Sequence, residues 1–70
     1  MNKDVKYLYI VIKENKVVCF DTNLKNFVEK FLLIEEEARN YDYFYRKFKA
    51  DDYFEYKTKN GKSFMMQKMH

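Results

Sequence analysis

Seventy residues with a formal net charge of +3, 47% hydrophobic and 36% charged, form one small domain at most and exclude any architecture that needs a second domain to build a cleft. One glycine, no proline and 20% aromatic residues describe a compact folded chain, not a disordered tail. A core of this size yields only about 3–5 kcal/mol, so a disulfide, a metal or a partner subunit is the usual supplement.

Cys19 is the only cysteine, which excludes an intramolecular disulfide and points to a reducing cytoplasm. His70 is the only histidine and the last residue, so no Cys/His metal cluster and no cofactor is expected. A partner chain remains. The apolar run from Tyr7 to Ile12 follows Asp4 and is closed by Lys13 and Glu14. It has neither the length of a span nor the cleavage site of a signal peptide, and no membrane association is expected.

Val5 to Lys13 and Lys16 to Phe20 are rich in β-branched and aromatic residues and flank Glu14-Asn15. They predict a β-hairpin over residues 5–20, with a two-residue loop that asparagine's tolerance of positive φ allows. Asp21-Thr22-Asn23 then offers acceptors for the free amides of a helix's first turn. From there Phe27, Phe31, Ile34, Ala38, Tyr41, Tyr45 and Phe48 are spaced alternately by four and three, which keeps them on one side of a helix over residues 23–50. Leu24, Val28, Leu32 and Phe44 widen that seam. Asp21 at the positive end and Arg46, Lys47 and Lys49 at the negative end suit a single helix dipole, whereas a break at Arg39-Asn40 would strand Glu35, Glu36 and Glu37 at a helix C-terminus. One helix is therefore expected, with Asn40 as the place where it would bend. Glu35 with Arg39, and Asp42 with Arg46, have the spacing of exposed i,i+4 pairs.

Asp51-Asp52 ends the helical pattern. Tyr53 to Thr58 and Lys62 to Met69 flank Asn60-Gly61, the strongest local hairpin signal in the chain, and a type I′ turn is expected there within a hairpin over 53–69. The predicted fold is α+β in the order ββαββ: a four-stranded antiparallel sheet of two hairpins packed on one long central helix, all within a single domain of residues 1–70.

Phe, Tyr, Met, Ile, Asn and Lys, whose codons begin with two A/T letters, make up more than half of the chain. In this it resembles the short, lysine- and aromatic-rich products of low-GC Gram-positive bacteria, and especially of their phages and mobile elements. No motif identifies a family.

Reactive constellations are scarce. Cys19 alternates with Val18 and Phe20 in a strand, where a free thiol is usually a packing group. Glu35-Glu36-Glu37 and Asp51-Asp52 supply adjacent carboxylates, but neighbours on a helix fan out by about 100° per residue and cannot converge on one ion or substrate. No phosphate-binding loop can be built on Gly61 alone. No catalytic residue is assigned, and an enzyme is not expected.

Basic and aromatic interleaving is the footprint of single-strand nucleic-acid binding. The formal charge is +2 over residues 1–20, zero over 21–50 and +1 over 51–70, so the excess lies on the hairpins. A stacking platform of Tyr7, Tyr9, Tyr56 and Phe64, rimmed by Lys57, Lys59 and Lys62, is one reading. The other is that tyrosine and phenylalanine are good strand residues and lysines protect sheet edges.

A helix over residues 23–50 would be about 42 Å long at 1.5 Å per residue, longer than a sheet of short strands can cover. Tyr41, Phe44, Tyr45 and Phe48 cluster on one face of it and are the expected anchors of a docking surface. Tyr7 and Tyr9 alternate with Leu8, Ile10 and Ile12, so both faces of the first strand are apolar and one needs cover. The favoured expectation is a small, non-enzymatic interaction protein of phage or mobile-element origin. It would bind and inhibit a host enzyme or defence system, in an anti-CRISPR-like role, or pair with itself as a homodimer. The alternative is a single-stranded DNA or RNA binder.

Overall fold

The computed structural model describes residues 7–69; the expected strand positions Val5 and Lys6, and His70, lie outside the described residues. Strands β1 (Leu8–Lys13) and β2 (Lys16–Asp21) are followed by helices α1 (Leu24–Ile34) and α2 (Tyr41–Ala50) and then by β3 (Tyr53–Lys57) and β4 (Ser63–Met69). All neighbouring strands are antiparallel in the order β2-β1-β4-β3. The fold is α+β with an open four-stranded sheet, and both helices lie against one of its faces.

The first turn follows the sequence. Glu14 and Asn15 take φ of 52° and 67°, the two left-handed residues of a two-residue hairpin loop. Asn60 does not share this conformation: only Gly61, at φ 89°, is left-handed there, so the expected type I′ turn is replaced by a longer loop. The Gly61 amide donates to the Thr58 carbonyl (3.1 Å) and the Thr58 amide to the Lys62 carbonyl (2.9 Å). The buried Thr58 hydroxyl accepts from the Lys62 amide at 3.1 Å and also meets the Asn60 side chain. These bonds reward the wider loop over the tight one.

The single long helix is corrected to two. Asn23 caps α1, its side chain accepting from the Asn26 amide at 3.0 Å, and Asn40 caps α2 by accepting from the Tyr43 amide at 3.1 Å. Three glutamates at the end of α1 were the objection to a break, because negative charge is unfavourable there. Glu35 removes much of it. Its side chain turns inward, accepts from the Glu37 amide at 3.0 Å and pairs with Lys62 at 3.0 Å. Glu35 is accordingly buried and does not form the exposed pair with Arg39. Arg46 likewise reaches the Asp42 backbone carbonyl (3.4 Å). The Arg39 amide donates to the Tyr56 hydroxyl at 2.9 Å, tying the connection to β3.

Breaking the helix lets both halves lie on the sheet, antiparallel to one another. Phe31 sits at the centre of the core, edge-on to Phe64 (5.0 Å between ring centroids), Phe44 (6.0 Å) and Tyr56 (6.1 Å). A second cluster forms one turn away, where Phe48 meets Tyr9 (5.2 Å), Phe27 (6.1 Å) and Phe54 (4.9 Å). Such edge-to-face pairs add about 0.5–1.5 kcal/mol each beyond area burial. Val11 and Met66 form the floor on the two central strands.

Candidate surface for protein docking

Strand alternation divides the sheet into two faces. Tyr9, Val11, Cys19, Phe54, Tyr56, Phe64 and Met66 face the helices. Among the described residues, no helix lies against the opposite face. There Ile10 lies between Phe20 and Gln67, Ile12 between Val17 and Met65, and Leu8 beside Met69. The polar residues of this face, Glu55, Lys57, Ser63 and Gln67, lie on β3 and β4. Tyr53, Met65 and Met69 are interspersed among these, whereas on β1 and β2 the face is wholly apolar, and Leu8, Ile10, Val17 and Phe20 form an entirely apolar hollow there.

The apolar surface continues around the edge of the sheet. A groove of about 360 Å³ runs between β2 and the end of α1, lined by Val17, Val18, Cys19, Phe20, Lys30, Leu33 and Ile34. Leu33 is 87% exposed, Phe20 58% and Val17 56%, so these large side chains stand largely in solvent, with the Lys30 ammonium 5.8 Å from the centre of the Phe20 ring. Large contiguous patches of this kind mark interaction surfaces more often than isolated exposed side chains do.

The expected anchors divide. Phe44 and Phe48 are buried in the core, while Tyr41 and Tyr45 are exposed and stacked at 5.9 Å. These four side chains do not form one surface, because the break rotates α2 so that Phe44 and Phe48 point inward. Nor do the seven residues of the nucleic-acid reading. Tyr7, Tyr9, Tyr56 and Phe64 lie on the helix side of the sheet, with Tyr56 and Phe64 buried beneath α1 and α2. Lys57 is exposed on the other face, Lys59 stands in the loop and Lys62 holds Glu35. Leu33, Val17 and Phe20 were not singled out as site residues; the signal that located their neighbourhood was the two-sided apolar character of β1.

Cys19 is buried, its thiol 4.0 Å from the Phe27 carbonyl, and burial pushes its pKa up, with Lys30 opposing and Asp21 adding to the shift. A thiol shifted in this direction is less often the reactive thiolate at neutral pH. Burial also raises the Tyr9 and Tyr56 hydroxyls. The Lys62 ammonium, then the Glu37 amide, hold the Glu35 carboxyl below its usual range, and Lys30 followed by the Asn23 amide do the same for Asp21. Among the described residues, no group of three or more His, Cys, Asp or Glu side chains is placed to hold a metal ion, and no helix is long and apolar enough to cross a membrane. No protein-family model, curated protein or solved structure matches the chain.

Proposed function

We propose that this chain is a non-enzymatic protein-interaction module that docks a partner protein on the helix-free face of its sheet. The observation that supports this reading is the concentration of Leu8, Ile10, Val17 and Phe20 in an uncovered hollow on β1 and β2. Burying apolar area of this kind contributes about 25 cal/mol per Å², and a few such side chains commonly dominate an interface. The abundance of residues whose codons begin with two A/T letters supports a phage or mobile-element source, and inhibition of a host enzyme or defence component is the form of docking we favour. Tyr41 and Tyr45 then flank the interface at most, since they project from the helical layer.

The test compares proteins captured from a low-GC host lysate by the wild type, by Ile12→Lys/Met65→Lys and by Lys57→Glu/Lys59→Glu, with circular dichroism to establish that each is folded. Ile12 and Met65 are directly opposed on the helix-free face, and both are only partly buried. One captured protein should survive the lysine reversal and disappear with the face variant. Capture that persists in the folded face variant refutes the proposal. Salt-sensitive capture of nucleic acid, lost on lysine reversal, puts the single-strand binding reading in its place.

A further inference from the structure

Strand β2 forms one edge of the sheet, and its sequence, Lys-Val-Val-Cys-Phe-Asp, carries charge only at its two ends. The other edge, β3, is broken up by Glu55 and Lys57, as edges that avoid pairing usually are. From this contrast we infer that β2 is a self-pairing edge: two copies of this chain join β2 to β2 about a two-fold axis, making one continuous eight-stranded sheet.

The occupant is a second copy because the strand complements itself. Laid antiparallel against its own copy, β2 can place Lys16 opposite Asp21 of the second copy and Val17 opposite Phe20 of the second copy, each pairing occurring twice. Opposed side chains interact only if they share a face. Residues five apart, such as Lys16 and Asp21, lie on opposite faces of a regular strand, as do residues three apart, such as Val17 and Phe20.

A bulge in β2 changes this. Val11 pairs with Cys19 but Ile12 with Val17, so Val18 is an extra residue and the alternation skips one position. Val17 and Phe20 consequently lie on the helix-free face, opposite Ile12 and Ile10, while Lys16 and Asp21 lie on the helix side, opposite Lys13 and Tyr9. Both pairings therefore match in face as well as in chemistry.

The surroundings agree with this geometry. Lys30 donates to the Phe20 carbonyl at 3.2 Å and pairs with Asp21 at 2.9 Å, so this carbonyl already accepts from α1 beside the edge. That oxygen has a second lone pair for an incoming amide. Pairing at β2 also brings the two α1 helices toward each other, over a junction that covers Leu33 and Ile34. An isologous two-fold dimer is the commonest closed assembly.

The inference does not depend on the docking of another protein to the helix-free face, and its test is separate. Sedimentation of the full chain over a range of concentration should show a monomer–dimer equilibrium, weakened at least tenfold by Lys16→Glu, which sets like charges opposite one another at both ends. In a Cys19→Ala background, mixing Val17→Cys chains with Phe20→Cys chains should give a disulfide-linked pair under mild oxidation, whereas either variant alone should not. Both positions are more than half exposed, so the fold should survive these changes. A monomer at high micromolar concentration overturns the inference. So does a dimer that is indifferent to Lys16→Glu and dissociated by Ile12→Lys/Met65→Lys, which would assign the contact to the sheet face.

Discussion

Tyr56→Phe removes one oxygen from the core and tests what holds the connection between the helices. The Tyr56 ring packs edge-on against Phe44 at 5.1 Å, Tyr43 at 5.7 Å and Phe31 at 6.1 Å, contacts that phenylalanine keeps. What is lost is the 2.9 Å bond from the Arg39 amide. A net hydrogen bond contributes about 0.5–1.5 kcal/mol, and leaving a fully buried donor unsatisfied would cost more. Arg39 is exposed, so its released amide can turn to water and the larger penalty does not apply. The expected loss is about 1 kcal/mol, which for a domain of this size lowers Tm by about 4–8 °C. Thermal unfolding by circular dichroism gives the shift, and amide exchange locates it, with Arg39 losing protection in the variant. Unchanged Tm together with unchanged exchange at Arg39 would refute the view that this hydroxyl anchors the connection.

Other substitutions probe the turn, the acid groups and the buried and exposed faces of α1. Glu14→Asn/Asn15→Gly should raise stability by about 1 kcal/mol, because both positions are left-handed and glutamate is poorly suited to that region; an unchanged denaturation midpoint would count against the turn geometry. Glu35 and Asp21 have folded pKa values below their ordinary ones, so their stabilisation is complete above the ordinary carboxylate range and is lost as pH falls through the depressed folded values. Acid titration followed by circular dichroism should show this loss, and Glu35→Gln should make the profile shallower. Phe31→Ala should cost about 3–5 kcal/mol and Leu33→Ala less than about 0.5 kcal/mol, although both lie on α1 two positions apart. Comparable losses in chemical denaturation would contradict the burial of one and the exposure of the other.

What could be read from the sequence was local. Alternation in β1, the loop at Glu14-Asn15 and the cap at Asn23 each involve neighbours in the chain, and the strands, the first turn and the start of α1 follow from them. The apolar set Leu8, Ile10 and Ile12 also indicated that one face of β1 needed cover. The break between the helices was hidden because its causes are remote: Lys62 lies 27 positions from Glu35, and Tyr56 lies 17 from Arg39. Within each helix the buried phenylalanines, Phe27 with Phe31 and Phe44 with Phe48, are four apart, but carrying the four-three seam across residues 35–40 placed Tyr41 and Tyr45, which are exposed, on the buried side. The bulge at Val18 had no local sign either, since it appears only when β2 is registered against β1.

The sheet order has a consequence for how the chain is assembled. β1 and β4 are adjacent at its centre, so Leu8 is paired with Met69 and the longest loop in the chain is closed by the middle of the sheet. Neither hairpin can complete the core alone: the first leaves the inner edge of β1 open, and the second leaves that of β4. Closing such a loop is slow relative to forming local hairpins and helices, because its entropy is lost before the contacts repay it. Removing β4 would therefore leave β3 without a strand partner and the β1–β2 hairpin without its central neighbour, so neither part of the sheet is complete without this strand.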